Sequence, residues 1–190
     1  MIRKHNGAHT LSQASKTKFH YVVTHPAESR LSAALIAAVG SAACIALLAF
    51  IDDILKGDFA LIAPFGASMV LVFGLPKSPL AQPKNVVLGH LVTALIGITA
   101  VNLLPVTFWS IGLTVGIGVF SMIMLKVTHP PAGGNPILIM LGGHTSYLFA
   151  LYPVLTGSVL IVLFALIYHR FISRLEYAGY NPVKGEISNE

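Results

Sequence analysis

The chain has 190 residues, of which 55% are hydrophobic and only 10% charged, and its mean hydropathy is +0.77. Water-soluble domains carry about 25% charged residues, and disordered segments lack the apolar surface present here, so both classes are excluded in favour of a polytopic membrane protein. The net charge of +5, from 12 basic against 7 acidic residues, does not imply a nucleic-acid partner. The basic residues gather in two tails flanking apolar segments, where they orient the chain by the positive-inside rule.

The head, residues 1–30, is polar and basic, with Arg3, Lys4, Lys16, Lys18 and Arg30. No cleavable signal peptide is expected, and the first apolar run reads as a start-transfer helix that is retained. That run, 32–51, is rich in Ala33, Ala34, Ala37, Ala38, Gly40, Ser41 and Ala42. Small residues let helices approach closely, so this helix is expected to pack against another. Cys44, the single cysteine, has no partner for an internal disulfide. An acidic patch of Asp52, Asp53 and Asp58 with Lys56 follows, and then a shorter apolar stretch, 59–75, broken by Pro64 and Gly66. A polar connector over 76–85 carries Lys77, Gln82 and Lys84.

One further span closes the first half, and the second half then starts over at residue 108. Residues 86–104 and 108–125 form full spans, the latter with Gly112 and Gly116 in GxxxG spacing. Lys126, Thr128 and His129 lead into Pro130-Pro131-Ala132-Gly133-Gly134-Asn135-Pro136, a short apolar piece at 137–141, and a last span at 147–172. The domains are therefore a cytoplasmic tail 1–30, a transmembrane domain 31–172 with halves 31–104 and 108–172, and a cytoplasmic tail 173–190. The membrane expected is a bacterial inner (plasma) membrane.

Two short spans decide the topology. If both cross, six segments result and only Lys56 of the basic residues lies outside, which suits the charge rule better than four crossings. A shift of 67 residues lays Pro64 on Pro131, Gly66 on Gly133 and Leu71 on Leu138, and each half runs full span, broken span, full span. The fold class is accordingly all-α: a membrane bundle of six segments in two inverted three-segment repeats, the middle segment of each broken. In transporters of this plan, substrate sits between the broken elements.

Non-helical backbone survives in a membrane only when buried in protein or lining a watery cavity. A proline-led first turn offers amide N–H groups and a positive dipole end, and glycine lets a ligand approach them. Two such turns suit a small anion. The expected substrate-binding residues are Pro64, Gly66, Ala67 and Ser68 in the first half. In the second they are Lys126, Thr128, His129, Pro130, Pro131, Gly133, Gly134 and Asn135. The helix of the second element can start at Pro131 or at Pro136. An imidazole titrates near physiological pH, so His129 or His90 can couple movement to protons. Lys126 also fits an ordinary positive-inside residue, and the proline breaks also fit kinks made for packing. His90, His129 and His144 lack the close spacing of metal ligands; His5, His9, His20, His25 and His169 read as solvated or interfacial. No Asp or Glu lies in the membrane-embedded spans themselves, so acid/base catalysis lacks its carboxylates there; a Ser68–His129 dyad has no motif behind it.

Thr128-His129-Pro130-Pro131-Ala132-Gly133-Gly134 resembles the signature of the HPP family of integral membrane proteins. Pro64-Phe65-Gly66-Ala67-Ser68, the stretch from Ser78 to Asn85, and Gly89-His90 are similar to the family's other recurrent segments. The resemblance spans roughly residues 51–172. It implies transport of nitrite, described for members in cyanobacteria and chloroplasts, while many bacterial members have no assigned substrate. The family is usually described with four transmembrane segments, and Asn135-Pro136 stands where small apolar residues are expected. A regulatory CBS pair, which some members carry, is not expected within these residues.

The expected function is transport of a small inorganic anion, most plausibly nitrite, by a non-enzymatic protein without cofactor or metal. Its partners are the anion, membrane lipids and further copies of itself in a homo-oligomer. A passive pore for water or small neutral solutes, and a histidine-based metal or haem protein, are the alternatives.

Overall fold

The computed structural model describes residues 27–57 and 60–179. Most of the basic head, Asp58, Phe59 and the end of the C-terminal tail lie outside the described residues. The chain divides into two units, 1–33 and 34–190; the described part of the first, 27–33, comprises the opening turns of a long helix.

That helix, α1 (Ala27–Leu55), is followed by α2 (Pro64–Met69), which runs on through a π-helical turn, Val70–Gly74. After a 3₁₀ turn at Pro79–Ala81 come α3 (Pro83–Leu103) and α4 (Phe108–Met124). A second 3₁₀ turn, Pro130–Gly134, leads into α5 (Asn135–Gly142). The last element is α6 (Thr156–Tyr168), with π-helical segments at Ala150–Leu155 and His169–Ser173 on either side. The described residues contain helices and no strand. Three stretches, 30–55, 83–103 and 150–173, are long and apolar enough to cross a membrane. The 21 residues of the middle one reach about 32 Å at 1.5 Å per residue, the thickness of a hydrocarbon core. The protein is an integral membrane protein with an all-helical fold.

Element boundaries follow local chemistry. Pro64, Pro83 and Pro136 each sit in the first turn of a helix, where a missing N–H leaves nothing unpaired. Thr107 and Ser110 form a reciprocal capping box at the start of α4. The second broken element starts as 3₁₀ at Pro130 and becomes α-helical only at Asn135, which settles where its helix begins. The last span starts at Ala150 rather than 147, and Tyr152 interrupts it with non-helical angles (φ −128°, ψ 114°).

Helices α1 and α4, the first of each half, end alike. Lys56 (φ 53°) and Lys126 (φ 55°) both take the left-handed conformation. The next amides, Gly57 N–H and Val127 N–H, reach back to the carbonyls of Asp52 (3.2 Å) and Met122 (2.9 Å). This is the Schellman pattern that uses up the last carbonyls of a helix.

Packing depends on glycines that admit neighbouring elements. In α1 the buried stripe is Gly40, Cys44 and Leu48. A Cβ on Gly40 would lie 2.6 Å from Phe73 Cδ1 and 2.8 Å from Tyr168 Cε1, and the Tyr168 hydroxyl donates to the Ile36 carbonyl at 2.7 Å. The close-packing expectation therefore holds at Gly40, while Ala34, Ala38 and Ala42 face outward. Gly89 in α3 abuts the Val127 carbonyl, and Gly157 in α6 abuts the Ala60 carbonyl. The 67-residue shift carries Ala60 onto Val127, and it carries Gly89 to within one residue of Gly157.

Asp52 holds the segment ahead of α2. Its two carboxylate oxygens accept from the amides of Ala60 (2.8 Å) and Leu61 (3.0 Å). Charge-assisted bonds of this kind contribute about 1.5–3 kcal/mol each. Asp52→Ala is expected to cost about 2 kcal/mol or more and to lower the melting temperature of the detergent-solubilised protein, whereas Asp53→Ala leaves it nearly unchanged; equal losses would show that the carboxylate contacts do not matter.

Candidate functional site

Five polar side chains with no exposed surface, Ser68, His90, Thr93, His129 and Asn135, come from four elements: α2, α3, the approach to the Pro130–Gly134 turn, and α5. The two broken elements touch. A Cβ on Gly134 would stand 3.4 Å from Pro64 Cγ, so the first turn of α2 lies against the start of α5. Within the cluster the Ser68 hydroxyl is 2.9 Å from His129 Nε2 and 3.0 Å from His90 Nε2.

With both rings neutral, one backbone atom fixes the directions of the bonds that run through Ser68 and the two imidazoles. His129 Nδ1 is 2.8 Å from the Leu80 carbonyl, which can only accept, so Nδ1 carries a proton. In a neutral imidazole the other nitrogen then accepts, so Ser68 donates to His129 Nε2. Ser68 in turn accepts from His90 Nε2–H, which leaves His90 Nδ1 as an acceptor. Asn135 Nδ2 lies 3.1 Å from that atom and also donates to the His90 carbonyl at 2.9 Å. Thr93 completes the set, donating to the Gly89 carbonyl at 2.9 Å while its Oγ1 lies 3.0 Å from Asn135 Nδ2. These tautomers are assigned from the network of partners. The two imidazoles stand edge to face with centroids 5.1 Å apart, and Phe65 covers His90 at 4.9 Å.

The connector between α2 and α3 builds the Leu80 carbonyl into place. The Ser78 hydroxyl accepts from the Leu80 amide at 3.3 Å. Gln82 Nε2 donates to the Ser78 carbonyl at 2.9 Å, and Asn85 Nδ2 donates to the carbonyls of Pro79 (3.0 Å) and Thr128 (3.1 Å). The stretch from Ser78 to Asn85 thus ties the first half to the residue preceding His129.

Of the residues expected in a binding site, Ser68, His129, Asn135 and His90 meet in this cluster. Pro64, Pro131, Gly133 and Gly134 are half-buried beside it, and Gly66, Ala67 and Pro130 are exposed. Thr128 contributes its backbone carbonyl to Asn85, and its hydroxyl reaches only the Met122 carbonyl at 3.5 Å. Lys126 is not brought in; it is exposed and serves as the left-handed residue that ends α4. The free first-turn amides are also fewer than expected, because Phe65 N–H and Gly66 N–H bond to the carbonyls of Ile62 (3.0 Å) and Ala63 (3.1 Å). His144 stacks on Phe149 at 4.0 Å and takes no part. His169, expected to be solvated or interfacial, is buried instead: its Nε2 donates to the Val72 carbonyl at 2.9 Å. Leu80 and Thr93 were not foreseen, since a backbone acceptor leaves no trace in side-chain chemistry and threonine is ordinary in a membrane helix.

The family model described as the HPP transmembrane region matches residues 26–178. The chain belongs to the HPP family. Two Dictyostelium discoideum proteins, both described as transmembrane proteins, are similar to it. One is 34% identical over 140 residues, covering 70% of this chain and 45% of that protein. The other is 33% identical over 127 residues, covering 63% of this chain and 45% of that protein. The chain thus spans about half the length of the curated relatives it matches. No solved structure matches it significantly.

Gly89 is where the cluster tolerates least change. A Cβ there would be 2.9 Å from both His129 Cβ and the Val127 carbonyl, whereas nothing lies within 4 Å of one on Gly116. Gly89→Ala is therefore expected to destabilise by about 1–3 kcal/mol through overpacking, and Gly116→Ala to be neutral or slightly stabilising, as read by thermal melts.

Proposed function

We propose that this HPP protein transports a small inorganic anion, nitrite first among the candidates, and binds it where α2 meets the Pro130–Gly134 turn. The observation that carries this reading is the fully buried Ser68–His90–His129–Asn135 cluster, drawn from both halves of the chain. Ionisable side chains inside a membrane bundle are costly to keep and mark substrate or ion paths. The 67-residue shift carries Ser68 onto Asn135, and these two side chains flank the same imidazole, His90, from opposite ring nitrogens. That pairing, together with the reciprocal Gly89–Val127 and Gly157–Ala60 contacts, supports two inverted halves with the substrate at their junction.

The positive charge of the site then comes from the imidazoles rather than Lys126, and Asn135 holds His90 in place through its ring and carbonyl. A small planar anion with two acceptor oxygens suits such a set of donors. The same plan puts six segments in the membrane and both termini on the cytoplasmic side of a plasma membrane. Outward-facing Ala34 and Ala38 on α1 and Gly112 and Gly116 on α4 support association with further copies of the chain.

One geometric detail favours a second reading. Ser68 sits 2.9 Å from the bare nitrogen of an imidazole that Leu80 orients, the arrangement of an activated serine nucleophile. The donation from His90 into the same hydroxyl and the complete burial of Ser68 favour transport, and the protein is proposed not to be an enzyme. A fluorophosphonate probe separates the two, since covalent labelling of Ser68 would support the hydrolase and overturn the transporter.

The direct measurement is flux into proteoliposomes, after a thermal-shift screen with nitrite, nitrate, formate, chloride and sulfate. His129→Ala is expected to lower nitrite flux about tenfold or more, the loss of roughly 1.4 kcal/mol of binding, while Lys77→Ala stays within about twofold. Equal effects, or permeation of neutral solutes without anion flux, would refute the assignment.

A further inference from the structure

We propose that the His90–His129 pair takes up one proton for each anion it binds, which makes the transport proton-linked; this rests on the anion-transport reading above. The bond directions in the cluster lead there. At the point now occupied by the Ser68 hydroxyl, the two imidazoles present their Nε2 atoms 3.0 and 2.9 Å away. In the neutral cluster only His90 Nε2 offers a proton. His129 Nε2 offers a lone pair, because its ring proton is committed to the Leu80 carbonyl at 2.8 Å.

An anion has only lone pairs on its outer atoms, so the neutral pair gives it one donor and one repulsive contact. Adding a proton to the His129 Nε2 lone pair reverses that contact. A single N–H bond forms, none breaks in the protein, and the Nδ1–H bond to Leu80 is undisturbed. Both imidazoles then point N–H groups at the anion. Ser68, whose proton no longer has the His129 lone pair to meet, turns it to the Pro64 carbonyl, 3.5 Å away. The proton and a monovalent anion sum to zero charge, so the burial cost of either one alone is largely cancelled.

The surroundings limit the count to one. A second proton on His90 would set two like charges on rings 5.1 Å apart, which each disfavours in the other. Among the described residues, the elements packed around His129 present no titratable group beyond His90: α2 gives Ser68 and Phe65, α3 gives His90 and Thr93, α5 gives Asn135, the 79–81 turn gives the Leu80 carbonyl, and α4 carries no titratable side chain. The lysines nearest in sequence, Lys84 and Lys126, are exposed.

The test is isothermal titration of nitrite into the full chain in nanodiscs, run in two buffers of different ionisation heat and repeated across pH. One proton is expected to be taken up per nitrite bound, so the dissociation constant rises about tenfold for each pH unit above the range where His129 binds its proton. His129→Gln, whose amide cannot titrate, is expected to bind more weakly with no proton uptake and no such pH slope. If that variant fails to fold, the proton count of the unaltered protein still decides. Nitrite binding with no proton exchanged would overturn the linkage and leave the transport assignment standing. Failure of nitrite and the other small anions to bind at all would overturn both.

Discussion

The hydrogen bond from His129 Nδ1 to the Leu80 carbonyl is the fixed point of this molecule. A carbonyl cannot donate, so this contact decides which nitrogen of His129 is bare, and through Ser68 it decides the same for His90. Without that anchor the cluster would have two self-consistent bond directions, and neither imidazole would have a defined donor and acceptor side. The polar connector from Ser78 to Asn85 exists, in physical terms, to present one oxygen. Its serine, glutamine and asparagine side chains pair with backbone groups that would otherwise be left unsatisfied where α3 enters the bundle.

Around that point, the two halves are held together by atoms that are absent as much as by atoms that are present. Gly89 and Gly157 remove a side chain where each half's third helix crosses the other half's segment ahead of its broken helix. Gly97 does the same against Pro136 and Ile139 of α5. Such contacts suit a bilayer, where lipid tails compete with leucine on equal terms and close backbone approach is the gain that remains. Asp52 adds a polar tie ahead of α2 by taking two amides at once.

Much of this plan is visible in the residues alone. Apolar run lengths locate the three long helices, and Pro64 and Pro131 mark the two places where helix gives way to other backbone. The proximity of those places was inferred from the 67-residue echo and is met by the Pro64–Gly134 contact. Between the two roles open to Lys126, anion ligand or ordinary basic residue, the residues alone do not choose, because charge is legible in a sequence and a left-handed φ in a lysine is not. His169 was misjudged because a histidine near the end of an apolar run looks like an interfacial residue until the carbonyl it meets, Val72 from a distant segment, is known. The alanine face of α1 shows a further limit of pattern: in a membrane, apolar composition does not distinguish a surface that meets protein from one that meets lipid.

The enclosure of Ser68 has an energetic corollary. Four hydrogen bonds cross between the halves here, joining His129 to Ser68 and to the Leu80 carbonyl and Asn135 to the His90 ring and carbonyl, and each contributes about 1 kcal/mol. Parting the halves without a substitute for those bonds leaves the opened form at roughly one molecule in a thousand. These bonds therefore hold the two halves closed on one another. An occupant that replaces the lost contacts lifts that restraint in proportion to how well its own atoms match the donors it displaces.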